Sequence, residues 1–141
     1  MKIASLTARL LLGMIFLGFG LNGFLHFIPM PPPTGLAAQF FGAIFASGLW
    51  VPIFLLQIIP AVLLLINRYV PLALTLLGPV IVNILFFHAF MAPAGLPLAL
   101  LVATLWIVVY LSVRSAFAGL FQRRVDEHTR ALEPQLSGQF R

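Results

Sequence analysis

Two amide–imidazole pairs recur in this chain at matching places. The first is Asn22-Gly23-Phe24-Leu25-His26, followed by Met30, Pro31 and Gly35-Leu36. The second is Asn83-Ile84-Leu85-Phe86-Phe87-His88, followed by Met91, Pro93 and Gly95-Leu96. Amides and neutral imidazoles present both donors and acceptors, which suits them to holding a ligand carbonyl. Two imidazoles at equal depth also fit the axial ligation of a haem, and His26, His88, Met30 and Met91 offer the soft donor set of copper(I). No Asp or Glu lies between Leu10 and Val113, so there is no carboxylate acid or base in that stretch, nor an acidic proton relay. His-based proton transfer stays open. The chain has no Cys, which excludes disulfides, thiol redox chemistry and thiolate metal sites. Ser47 has no His–Asp partner set.

The elements that must position these groups are apolar helices. Between Leu10 and Val113 the only charged residue is Arg68, a distribution that leaves a soluble domain without surface charge and is what a bilayer requires of a chain crossing it. Hydrophobic residues make up 62% of the chain, charged residues only 8%, and mean hydropathy is +1.11. Backbone groups cannot go unpaired in lipid, so apolar segments of this length must be helical. Four are expected to span, over about residues 5–28, 49–66, 71–91 and 96–113. The first reads as a span rather than a cleavable signal, because it exceeds an h-region and further spans follow it. An all-α membrane bundle of four helices in one domain, residues 1–121, with a polar cytoplasmic tail over 122–141, is the expected architecture.

Lys2 and Arg9 precede the core of the first span, which starts at Leu10; Arg68 lies between the second and third spans, and the remaining arginines follow the fourth. The net charge of +5 is therefore a topology signal rather than a nucleic-acid footprint. The positive-inside rule places both termini and the Asn67-Arg68-Tyr69-Val70-Pro71 turn in the cytoplasm. The connection Pro29-Met30-Pro31-Pro32-Pro33-Thr34-Gly35 breaks the first helix. Residues 36–47 then form a helix too short to cross, lying at the outer face, re-entrant, or packed as an ordinary loop helix. Pro60 and Pro79 interrupt the ladders of spans two and three and are expected to kink them. After Arg114, Phe117, Leu120 and Phe121 alternate with Arg114, Arg123 and Arg124 as an amphipathic continuation suited to anionic lipid.

Counted from the helix ends, Asn22, Gln57, Asn83 and Thr104 fall in one layer of the outer leaflet, with His26 and His88 about one turn nearer the surface. They are expected either to bond across helices as polar glue or to line an outward-facing ligand pocket formed by Asn22, His26, Gln57, Asn83 and His88. Gly18, Asn22 and His26 share one stripe, and Thr75, Pro79, Asn83 and Phe87 another. His88, five residues beyond Asn83, lies on a different face of its helix. The two matching segments also hint at a parallel repeat of two-helix units, a transporter-like feature.

These residues resemble the DoxX-like family of small bacterial membrane proteins over most of residues 4–120. The resemblance is carried by Gly18-Phe19-Gly20-Leu21-Asn22-Gly23, the Pro-rich connection, Ser47-Gly48, Asn67-Arg68-Tyr69-Val70-Pro71-Leu72, Pro79-Val80-Ile81-Val82-Asn83 and His88. It implies a four-helix protein of the bacterial inner membrane, associated with quinone-linked sulfur oxidation or a membrane oxidoreductase complex. It carries over no catalytic residue. Redox relatives that use cysteines are no guide to a chain without them. The expectation is an accessory or scaffold subunit without independent activity, binding a quinone or lipid in the outer-leaflet pocket. Its partners would be the bilayer, a membrane oxidoreductase and further copies of itself. An oligomeric small-molecule transporter, and a haem or copper redox protein, are the alternatives.

Overall fold

The computed structural model describes residues 2–121, and these are helical, with no strand among them. Five α-helices follow in order: α1 Lys2–Leu25, α2 Gly35–Ser47, α3 Trp50–Leu65, α4 Val70–Phe90 and α5 Leu96–Val113. Short 3-10 turns cover Pro93–Gly95 and Arg114–Phe121. Helices α1, α4 and the segment Pro93–Ala118 are each long and apolar enough to cross a membrane. The pair α2 and α3, bent by 92° at Gly48-Leu49, makes a fourth if counted as one broken span. The chain thus has three or four membrane-spanning candidates, the signature of a multi-pass membrane protein. The tail expected over 122–141, including Arg123 and Arg124, lies outside the described residues.

Each break has a local cause. At the end of α1, His26 adopts φ 52°, and its N–H bonds to the Asn22 carbonyl at 3.0 Å, the single-bond left-handed cap. At the end of α3, the Arg68 N–H reaches the Leu63 carbonyl and the Asn67 N–H reaches Leu64, at 3.0 and 3.2 Å. That is the Schellman pairing, with Asn67 at φ 56° in the position that favours Gly or Asn. Tyr69 follows at φ 52°, an uncommon conformation for an aromatic residue, and Pro71 then opens α4. Between α2 and α3, Gly48 supplies φ 78°, a turn that costs glycine nothing sterically. The helical assignment continues through both Pro60, buried in α3, and Pro79, exposed on α4.

Helices α1, α3, α4 and α5 pack in a ring in that cyclic order, α1 touching α3 and α5, and α4 touching α3 and α5. The core along the ring axis includes Leu12 and Phe16 of α1, Leu64 of α3, Leu74 and Leu77 of α4 and Val109 of α5. The closest approach is between α1 and α3. A methyl group built on Gly20 would lie 2.7 Å from Ile58 Cγ1, and one on Gly23 would enter the Phe54 ring. Small residues at such a seam let backbones approach and gain dispersion contacts, the main cohesive force where lipid competes equally for apolar surface. Across the α4–α5 seam, the Trp106 indole donates to the Leu74 carbonyl at 3.0 Å.

The turns bring Lys2, Arg9, Arg68 and Arg114 to one end of the ring. There Arg9 donates from its guanidinium to the Leu64 carbonyl, which thus accepts a second bond beside that from the Asn67 N–H of the α3 cap. Of the expected amphipathic continuation after α5, Arg114–Phe121 lie within the described residues and form a 3-10 helix, with Phe117 buried against Tyr110, ring centroids 5.0 Å apart.

Candidate functional site

At the opposite, uncharged end, α2 leaves α3 at 92° and is fastened to α3 and α4 by aromatic side chains. Phe45 of α2 stacks on Trp50 of α3 at 5.9 Å, and Trp50 lies 5.2 Å from Phe24 of α1. Phe40 and Phe41 of α2 meet Phe87 of α4 at 5.5 and 5.2 Å. The sequence shows these rings only as scattered phenylalanines; their convergence depends on the right-angle bend at Gly48. Edge-on and offset ring pairs add attraction beyond their buried area.

The five polar residues expected to form one pocket take four different situations. Asn22 is buried and serves the backbone: its Oδ1 accepts the Ile28 N–H at 2.6 Å, and its Nδ2 donates to the Ile28 carbonyl at 3.4 Å. A peptide outside the helical ladder is thereby paired where water is scarce. Met30 Sδ lies 3.8 Å from the same Nδ2. His26 is exposed, and its part in ending α1 is a backbone one.

His88 does for α4 what Asn22 does for α1. Its Nδ1 lies 3.0 Å from the Ala92 carbonyl. A carbonyl only accepts, so that nitrogen carries the proton in the bonded tautomer and Nε2 is left as an acceptor in the neutral ring. The ring occupies the space where Gly95 would carry a side chain, which latches the Pro93–Gly95 turn onto the helix. The two matching segments are therefore alike in task, but the residue performing it is Asn22 in one and His88 in the other.

Gln57 is 8% exposed on the inward stripe Gln57, Pro60, Ala61 and Leu64 of α3. Its side chain makes no hydrogen bond among the described residues, and its Cβ faces Gly20. Asn83 is exposed on α4, likewise without a hydrogen bond among the described residues. The expected common layer thus divides: Asn22 and Gln57 turn inward, whereas Asn83 and Thr104 turn outward, the Thr104 hydroxyl bonding to the Leu100 carbonyl at 2.8 Å. Asn83 sits one helical turn below Phe87, on the same face, so a free amide lies beneath the Phe40–Phe41–Phe87 cluster on the lateral surface of the protein. Thr75 and Pro79 continue that exposed stripe along α4.

Among the described residues no group of three or more His, Cys, Asp or Glu side chains is arranged to hold a metal ion. In comparisons with known proteins, no family model, curated protein or solved structure matches this chain.

Proposed function

We propose that this chain is a DoxX-like accessory or scaffold subunit of the bacterial inner membrane, a four-helix bundle with both termini and Arg68 in the cytoplasm. It binds a quinone or lipid in the outer leaflet. It has no independent catalytic activity, and its natural partner is a quinone-linked membrane oxidoreductase. The observation that carries the ligand reading is Asn83: an exposed amide, unbonded among the described residues, one turn below three clustered phenylalanine rings. An amide facing hydrocarbon without a partner is costly, and one beside aromatic rings suits a ligand with a flat carbonyl-bearing head and an apolar tail. Such a ligand enters sideways from the bilayer, through a surface that needs no charged residue. The topology follows from the positive-inside rule, and the family from the motifs between Gly18 and His88.

The same amide also favours a second reading, self-association along α4, because Asn carries both donor and acceptor and pairs with its own copy across a two-fold axis. Native mass spectrometry of the protein extracted with its lipids separates the two. Under the first reading the wild type retains a quinone or lipid and Asn83→Leu loses it without a change of mass state. Under the second, Asn83→Leu shifts the oligomer to monomer. If the variant retains every bound molecule and every copy number of the wild type, both readings fall.

A further inference from the structure

At the basic end, α1 and α5 leave a cleft of about 390 Å³ lined by Lys2, Ser5, Leu6, Arg9, Leu111 and Ser112. We propose that this cleft is a binding site for the phosphate headgroup of an anionic phospholipid, separate from the Asn83 face at the opposite end of the protein.

Its chemistry is that of a phosphate cradle. Lys2 and Arg9 supply two cations on one helix, seven residues and so about two turns apart. Arg9 is partly buried and directs one donor to the Leu64 carbonyl, which fixes the guanidinium while leaving most of its five donors free. Ser5 lies between the two cations in sequence, and Ser112 lines the facing helix, its one hydroxyl proton given to the Val109 carbonyl at 2.6 Å, so the donors for an anion are Lys2, Arg9 and Ser5. No acidic side chain lies within residues 2–121, so nothing in the described chain competes for these cations.

The occupant is a lipid rather than a free anion because the cleft has apolar walls beside its cations and opens onto a tail track. Leu6 and Leu111 form its apolar walls. Leu6, Leu10 and Met14, spaced by four residues, are all exposed along α1. Eight residues of helix carry that stripe about 12 Å further along the membrane-facing surface, the path an acyl chain takes once its headgroup is held at the end of the helices. Basic pockets between membrane helices bind anionic headgroups in this way, each cation near the surface contributing attraction.

The test is native mass spectrometry of the full chain in detergent, titrated with phosphatidylglycerol, with phosphatidylcholine as the neutral headgroup control. Phosphatidylglycerol is expected to bind in preference to phosphatidylcholine. Lys2→Gln, on an exposed residue, is expected to weaken its binding about fivefold. Arg9→Gln should weaken it further, but also removes the bond to Leu64, so Lys2→Gln carries the test. Arg68→Gln removes equal charge from the same end outside the cleft and should leave binding unchanged. The proposal is overturned if both lipids bind equally, if Lys2→Gln and Arg68→Gln act alike, or if millimolar inorganic phosphate displaces the lipid completely, which would make the site one for the free anion.

Discussion

Gly23→Ala is expected to destabilise the protein by about 1–3 kcal/mol, the cost of overpacking a close seam. The added methyl enters the Phe54 ring, and that ring is not free to swing aside: it lies 6.1 Å from Phe24 and 6.5 Å from Trp50, centroid to centroid. A clash there spreads into the aromatic fastening of α2. Gly20→Ala should also destabilise, because the atom it meets, Ile58 Cγ1 at 2.7 Å, is held by the stiff χ1 of a β-branched helical residue, with Gln57 Cβ at 3.3 Å and the Ile58 backbone nitrogen at 3.4 Å behind it. Gly18 has nothing within 4 Å of the added carbon, so Gly18→Ala should be neutral or gain about 0.5–1 kcal/mol from helix propensity. Unfolding of the three variants in mixed micelles, followed by Trp fluorescence, ranks them. Equal losses at all three positions would mean that α1 and α3 do not meet along Gly20 and Gly23.

Asn22→Leu and Gln57→Leu should move stability in opposite directions, although both replace an amide that is 8% exposed. Removing the Asn22 amide leaves the Ile28 N–H and carbonyl without partners, a penalty of about 1–3 kcal/mol. Met30 loses a contact as well, and the connection that follows α1 should become easier to cleave with protease. Asn22→Asp, which retains the acceptor for the 2.6 Å bond, should recover part of the loss. Gln57→Leu removes an amide that bonds to nothing among the described residues and whose nitrogen and oxygen reach the molecular surface; hydrocarbon there offers them no partner, so stability should rise by about 1 kcal/mol. The same micelle unfolding experiment reads both. A loss at Gln57→Leu as large as at Asn22→Leu would show that something outside this chain, a ligand or a water, satisfies Gln57.

Sequence patterning went far on class and solvent. A stretch with Arg68 as its sole charge leaves helix as the only regular structure that pairs its own backbone in lipid, so the helices follow from composition. Their ends were legible where the chemistry is local: Pro29 and the prolines after it, the Asn67-Arg68 turn, and Pro93. The short segment over 36–47 was legible as a helix too short to cross. Its right-angle placement was not, because that depends on the single glycine conformation at Gly48.

The candidate site was legible in residue type and depth but not in direction. Counting from helix ends placed Asn22, Gln57, Asn83 and Thr104 in one layer, yet depth fixes only one coordinate of a helix. The other is rotation about its axis, set by which stripe packs on which neighbour, and α4 turns Ala73, Leu74, Leu77 and Ile81 inward and Asn83 out. Repeat logic had a similar limit. It matched Asn22 with Asn83 by letter, whereas the structure matches Asn22 with His88 by the backbone carbonyls that each must satisfy.

By itself, then, the sequence determined the medium, the helices and the end of the molecule that carries its charge, because these depend on transfer of side chains and backbone between water and hydrocarbon, residue by residue. Only the tertiary structure decided which amides are spent on the protein's own backbone and which make no bond among the described residues. It also decided that seven aromatic rings, those of Phe24, Phe40, Phe41, Phe45, Trp50, Phe54 and Phe87, converge on one end, and that Lys2, Arg9 and Ser112 share a cleft. Those outcomes depend on helix rotation and neighbour order, which many distant contacts set together and no single segment encodes.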